Sequence, residues 1–272
     1  VNCATLLTDF GLSDEYVGVM KGVILTLHPT ATIIDISHDI PPQDVSAAAR
    51  MIRAAFRYFP EKTVHVCVID PGVGTDRHIL AANAGGHRFI APDNGILFPL
   101  LQEAAVETLV RVDNSDFFLP KVSHTFHGRD IFAPVAAHLL RGVSTEALGP
   151  PISLQQMVPI ELSAPRRFPD GTLVGTVIGA DRFGNLLTDI HHLDLDRLAP
   201  SGAPFEIQIR DIRLPGLSHA YGAPDAKRCL ALIGSRGYLE IAVSGGNAHQ
   251  CLDVGIGDAI HIRRRKATPS TQ

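Results

Sequence analysis

Cysteine is scarce and scattered in this sequence: Cys3, Cys67, Cys229 and Cys251 stand alone, with no C-x-x-C pair among them. That spacing argues against a disulfide framework or a cysteine zinc site, and the apolar runs around Cys67 and Cys229 mark small buried thiols. No stretch is long and apolar enough to span a bilayer, and the start carries no signal-peptide pattern. The expectation is a cytoplasmic protein with no membrane partner. Basic residues are not in excess, and a formal net charge of -4 argues against a nucleic-acid partner. Familiar catalytic signatures are missing too. Gly72-x-Gly74 lacks the downstream glycine of a dinucleotide fingerprint, and there is no G-x-x-x-x-G-K-[ST] loop and no G-x-S-x-G elbow of a serine hydrolase. Neither an internal repeat nor a low-complexity segment is found.

What is present is an ordinary globular composition. With 45% hydrophobic and 19% charged residues over 272 positions, the chain can fill one large or two modest cores. Strands are predicted at 4–7, 32–36, 63–69, 79–82, 88–91 and 107–112. Between them, Val17, Met20, Ile24 and Leu27 recur at helical spacing, as do Val45, Ala49, Ile52, Phe56 and Phe59. Ser13 reads as the N-cap of the first helix, with Asp14 and Glu15 in its first turn, and Pro29 ends it. Further helices are expected from residue 96 and over 131–140. This alternation predicts an α/β domain over residues 1–155, a mostly parallel sheet covered by helices on both faces. A proline-bearing linker is expected at 156–170. Over 171–272, short β-like runs at 173–178, 205–209, 229–233, 238–243 and 259–262, with one short helix near 193–198, predict a small antiparallel sheet or β-barrel. The basic tail from Arg263 to Gln272 is expected to fray.

The most pointed stretch is Val66-Cys67-Val68-Ile69-Asp70-Pro71-Gly72-Val73-Gly74-Thr75-Asp76-Arg77, a buried strand that breaks into a glycine loop between a carboxylate and a cation. Loops at the carboxyl ends of parallel strands open on one edge, so Asp70 with Arg77, Asp9 with Asp14, His38 with Asp39, and His127 with Arg129 and Asp130 are candidates for one crevice. Each also has a plain structural explanation. Asp70 can cap a turn, Asp9 and Asp14 can cap the first helix, His38-Asp39 can be a loop feature before Pro41, and Arg129 can pair with Asp130. Asp181-Arg182-Phe183-Gly184-Asn185 reads as a β-turn and Ser235-Arg236-Gly237 as a hairpin loop, although an aromatic beside an amide also suits a planar base. His38, Asp39, His65, His78 and His127 could supply a metal site, but no H-x-x-x-H pair supports one, and none is expected. Spacing alone leaves the chemistry open.

Taken in order, Thr8-Asp9-Phe10-Gly11, Asp70-Pro71-Gly72-Val73-Gly74-Thr75, Arg77, Ala91-Pro92-Asp93-Asn94-Gly95, Phe126-His127-Gly128-Arg129-Asp130, Asp181-x-Phe183-Gly184-Asn185 and Ser235-Arg236-Gly237-Tyr238 resemble the S-adenosyl-L-methionine (SAM) hydroxide adenosyltransferases. These are adenosine-forming SAM hydrolases, related to the fluorinase and chlorinase, and the resemblance runs from about residue 4 to 262. It implies a trimer whose active sites lie between one chain's first domain and a neighbour's second. The implied reaction is attack of water or hydroxide on ribose C5′, releasing adenosine and methionine without a cofactor. Carried over by position, Asp70, Arg77 and His127 would be catalytic. Asp9 would grip the ribose hydroxyls, Asp14, Asp181, Ser235 and Arg236 would lie near the methionine portion, and Phe183 and Asn185 would contact adenine. Tyr221 is the candidate for covering adenine from the second domain.

Within the resemblance, water is favoured over halide. The halide users carry an aromatic hydroxyl residue where this chain has Asp70 and a serine where it has Gly128, and the loop lengthening their first domain is absent here. A carboxylate repels a halide and orients water. Gln43 stands where the fluorinase has tryptophan. The alternatives are a SAM-dependent halogenase, or a non-catalytic sensor of SAM or adenosine.

Overall fold

The computed structural model describes residues 2–222 and 229–265 and divides the chain into two compact units, residues 1–162 and 163–272. The expectation for the tail beyond residue 265 lies outside the described residues.

In the first unit, strands β1 (Cys3–Thr8), β2 (Thr32–Ser37), β3 (Val64–Val68), β4 (Ile79–Ala84), β5 (His87–Pro92) and β6 (Val106–Arg111) form one sheet in the order β2-β1-β3-β5-β4-β6. Its helices are α1 (Tyr16–Leu27), α2 (Val45–Ala55), α3 (Phe98–Glu103) and α4 (Ala133–Leu140). Side chains alternate between two cores because consecutive strand residues point to opposite faces. Leu6, Val66 and Val68 pack with Met20, Ile24 and the α4 residues, whereas Leu7, Cys67 and Ile69 pack with Ala49, Ile52 and Leu100. Two-sided burial is why these strands read as continuous apolar runs.

The sheet is mostly parallel, as the alternation predicts, with one strand reversed. β2, β1, β3 and β5 run parallel, but β4 is antiparallel to both β5 and β6. The cause is local: Gly85 and Gly86, with φ of +57° and +80°, form a two-residue connection that suits a tight hairpin. The reversal matters for the site. Ile79, at the start of β4, pairs with Pro92 at the end of β5, so the residues entering β4 meet the loops leaving the parallel strands at one edge.

The first helix departs from its predicted start. It begins at Tyr16 with Glu15 as N-cap and no side-chain cap, so Ser13 is not the N-cap and Asp14 precedes the first turn. Gly11 N–H donates to the His38 carbonyl at 2.8 Å, and Tyr16 packs against Phe10 and Phe126. The chain is thus tied to the neighbouring loop before it can coil. Asp44 caps α2, accepting from the Ala47 N–H at 2.8 Å.

In the second unit, β8 (Leu173–Ala180), β9 (Leu186–His191), β10 (Phe205–Ile209), β11 (Ile212–Leu214), β12 (Cys229–Ile233), β13 (Tyr238–Val243) and β14 (Ala259–Arg264) run in the order β11-β10-β14-β8-β9-β13-β12, all neighbours antiparallel. The short β7 (Arg166–Arg167), within the stretch read as linker, pairs with β8. Ser218, just past β11, donates its N–H to the Ala231 carbonyl of β12 at 2.7 Å, nearly closing the barrel around Ile207, Ile241, Ile260 and Ile262. Besides α5 (His192–Leu198), a second helix, α6 (Ala248–Leu252), occurs here with Asn247 as its cap. Five residues are too short for a periodic signal.

One buried polar chain lies away from the strand-end edge. Thr5 Oγ1 is 2.7 Å from His65 Nδ1, and His65 Nε2 is 3.2 Å from His87 Nδ1. Burial, with a smaller push from His87, holds the His65 pKa down to about 3. Since the unfolded chain takes up this proton first, stability is complete above the ordinary histidine range and is lost as pH falls from 6.5 toward 3. Between pH 6.5 and 4.5, His65→Gln should therefore flatten the pH dependence of urea-unfolding stability by about 1.4 kcal/mol per pH unit relative to the parent. Parallel curves for the two proteins would show that His65 does not titrate in this way.

Candidate active site

The parallel strands deliver their loops to one edge: Asp9 follows β1, His38 follows β2, Asp70 follows β3 and Asp93 follows β5. Arg77 arrives at the same edge just ahead of β4. His127 comes from the other side of the chain, immediately before a π-helical turn, Gly128–Phe132, that leads into α4.

These elements join Asp70, Arg77 and His127. Arg77 Nε donates to both oxygens of Asp70, at 2.8 and 3.0 Å, and Nη2 also bonds Asp70 Oδ2. Nη2 lies 2.9 Å from His127 Nδ1. The Asp70 and Arg77 side chains are 5% and 11% exposed, so the pair is sheltered. Arg77 also lies over the Phe132 ring, 5.7 Å from its centroid. A guanidinium has no acceptor, so Nδ1 must accept this bond and the neutral ring carries its proton on Nε2. Burial first, and then the Arg77 charge, push the His127 pKa below the usual histidine value; Asp70, Asp130 and the Ser123 backbone pull less strongly the other way. The result is a fixed cation between a carboxylate and a neutral imidazole, able to orient water and stabilise developing hydroxide.

Close contacts shape the surroundings. A Cβ on Gly74 (φ +76°) would fall 2.2 Å from the His124 carbonyl oxygen, so the glycine loop lies directly against the segment leading to His127. A Cβ on Gly128 would lie 3.0 Å from the Phe126 ring and 3.1 Å from Met20 Sδ. Arg129 pairs with buried Asp130 at 2.6 Å, and Ser123 donates to Asp130 through both N–H (2.8 Å) and Oγ (2.7 Å). Burial raises the Asp130 pKa, but the Arg129 and Ser123 hydrogen bonds outweigh it and hold the carboxyl below its usual range. Nothing in the sequence marked Ser123.

One strand over, Asp9 Oδ2 accepts the Gln43 N–H at 2.8 Å, with Gln43 itself at φ +65°. Thr8 Oγ1 lies 2.8 Å from buried His38 Nδ1, His38 Nε2 lies 3.0 Å from Asp35 Oδ1, and Asp35 pairs with Lys21 at 2.6 Å. His38 is thus a core prop under the Asp9 loop, while Asp39 is exposed. Asp14 is exposed in the bend before α1. No group of three or more His, Cys, Asp and Glu side chains is arranged to hold a metal among the described residues.

In the second unit, Asp181, Phe183 and Asn185 form the β8–β9 turn. Asp181 Oδ1 accepts from the N–H groups of Phe183 and Asn185, and Oδ2 accepts from Asn185 Nδ2, each at 2.9 Å. Gly184 (φ +83°) is required, since a Cβ there would fall 2.1 Å from Asn247 Cγ. Phe183 is 77% exposed. Ser235 and Arg236 are exposed at the β12–β13 hairpin tip, closed by Gly237 N–H to the Gly234 carbonyl. Tyr221 donates its hydroxyl to buried Glu240 at 2.6 Å. Burial, then Glu240 and Asp181, push its pKa up to about 12 against the opposing Arg236 charge, placing Tyr221 in the electrostatic reach of both site clusters of this unit.

The family models described as "SAM hydroxide adenosyltransferase N-terminal domain" and "SAM hydroxide adenosyltransferase C-terminal domain" match residues 4–149 and 175–261. The chain is 36% identical to a curated (R)-S-adenosyl-L-methionine hydrolase of Salinispora tropica, covering 94% of this chain and 95% of that protein. It is 29% identical to a fluorinase of Nocardia brasiliensis, covering 94% and 95%. A crystal structure of an uncharacterized conserved protein from Thermotoga maritima superposes with a TM-score of 0.87 at 36% identity, covering 96% of this chain and all of that one. The chain belongs to the SAM hydroxide adenosyltransferase family.

Proposed function

We propose that the chain hydrolyses SAM to adenosine and L-methionine by attack of water at ribose C5′, with Asp70, Arg77 and His127 as its catalytic residues. The observation that carries the reading is the sheltered Asp70–Arg77–His127 contact at the strand-end edge. The sulfonium is already a good leaving group, so the problem is to make water nucleophilic at a saturated carbon. Asp70 retains lone pairs beyond those used by Arg77 and accepts a hydrogen bond from the water. The Arg77 charge stabilises the developing hydroxide, and His127 offers its Nε2 proton as a donor to hold the oxygen. As the C5′–O bond forms, the C5′–S bond breaks, its electron pair leaves with methionine sulfur, and the water proton is released. A carboxylate in place of an aromatic hydroxyl favours water over halide. A Cβ at position 128 would crowd the Phe126 ring and Met20 Sδ, so a serine there requires a small shift of one of them.

Asp9, Asp14, Asp181, Phe183, Asn185, Ser235 and Arg236 are the proposed substrate-binding residues, with Asp14 and Asp181 suited to a cationic ligand. The same reading takes residues 1–155 as the catalytic domain, 156–170 as a linker and 171–272 as a substrate-binding domain. It includes a cytoplasmic homotrimer that uses no cofactor. Among the described residues, no helix is long and apolar enough to cross a membrane.

Incubation with SAM should yield adenosine and methionine in equal amounts, and Asp70→Ala or the shape-preserving Asp70→Asn should lower turnover by roughly 10²–10⁴-fold while SAM still binds. Parent-like rates in both variants would remove Asp70 from the mechanism, and binding without turnover in the parent would favour a sensor. With a single deuterium at C5′, the adenosine formed should show inverted configuration; retention would require a covalent intermediate. Sedimentation should give three times the chain mass, and a monomer at assay concentration would contradict the trimer.

A further inference from the structure

Asp70 and Arg77 sit at opposite ends of one glycine-bearing loop whose internal bonds are short-range: Val73 N–H to the Asp70 carbonyl and Thr75 N–H to the Gly72 carbonyl, both at 3.2 Å. Such a loop does not by itself fix two side chains to hydrogen-bonding precision. The Pro92-Asp93-Asn94-Gly95 turn, which follows β5, holds both ends. Asn94 Nδ2 donates to the carbonyl of Ile69, the residue before Asp70, at 2.8 Å. Asp93 N–H donates to the carbonyl of His78, the residue after Arg77, also at 2.8 Å.

The turn is anchored in its own right. Asn94 Oδ1 accepts from the Ile96 N–H at 3.3 Å, which orients the amide so that Nδ2 faces Ile69. The buried Asp93 carboxylate accepts the Val158 N–H at 2.9 Å. Gly95, at φ +97°, lies so close to Ile160 that a Cβ would come within 2.6 Å of the Ile160 Cβ. Every hydrogen-bonding atom of the Asn94 side chain that contacts the fold is therefore turned to one task.

We infer that Asn94, with the Asp93 backbone, is a positioning residue for the Asp70–Arg77 pair, a role that rests on the hydrolase reading above. Removing the Nδ2 donor leaves the buried Ile69 carbonyl without this bond and frees the first end of the loop. A small displacement of Asp70 then disturbs the guanidinium fork, and through Arg77 the bond to His127 Nδ1. Misplacement on the ångström scale is sufficient to slow a reaction by orders of magnitude. The proposed substrate-binding residues lie on other loops, so the loss falls on turnover and not on affinity.

The test compares Asn94→Asp, which keeps the side-chain shape and the Oδ1 acceptor, with Asn94→Ala. Both should lower kcat for SAM hydrolysis at least ~10-fold with KM within about twofold of the parent. In the resting proteins, ¹⁵N resonances of the His127 ring should show Nε2 protonated in the parent and a shift toward mixed tautomers in the variants. Unchanged kcat and unchanged ring resonances would overturn the inference. So would kcat and KM worsening together with a lowered Tm, or failure of both variants to fold, since either outcome marks a general structural role. A parent inert toward SAM would sink the hydrolase reading instead, and the ring resonances would still report on the brace.

Discussion

The guanidinium of Arg77, shared between the Asp70 carboxylate and Nδ1 of His127, is the interaction on which the architecture of the site depends. A sheltered cation must be paired, and a sheltered carboxylate must find donors, or each loses more in desolvation than the fold can offset. Here one side chain meets both demands and at the same time dictates the tautomer of the third. Three groups distant in sequence are thereby reduced to a single unit of defined charge: negative, positive and neutral in a row.

Sheet topology explains why these groups can meet. Four parallel strands carry acidic or histidine residues past their carboxyl ends, the usual place for an α/β site. Arg77 does not follow a parallel strand at all. It reaches the edge because the Gly85-Gly86 connection turns β4 against β5 and brings the start of β4 beside the end of β5. His127 is delivered by the π-helical turn ahead of α4, and the contact between Gly74 and the His124 backbone sets the glycine loop against that segment. The brace from Asn94 and Asp93 belongs to the same logic, in which loops hold one another at the strand ends while the two hydrophobic faces hold the strands.

Much of this was legible in the sequence, and the gaps have identifiable causes. Continuous apolar runs such as Val64–Val68 announced strands buried on both faces, and Asp70 with Arg77 stood out because a carboxylate and a cation flank glycines directly after such a run. The hairpin was missed because two short apolar runs look alike whether they pair parallel or antiparallel; only the adjacent Gly85 and Gly86 carried the orientation. The first helix starts later than its capping residues suggest because a long-range bond, Gly11 to His38, competes with local preference. β9, β11 and α6 are short segments in which periodicity is weak. His38 and Asn94 act through partners remote in sequence, Thr8 and Ile69, so their roles became readable only from the folded chain.

In the proposed reaction one water molecule, held by Asp70, Arg77 and His127, becomes the 5′ oxygen of the nucleoside product. Turnover of SAM in ¹⁸O-labelled water tests it most directly. Adenosine should carry the label in its 5′-hydroxyl and methionine should carry none. Adenosine with an unlabelled 5′ oxygen, or label appearing in methionine, would contradict it.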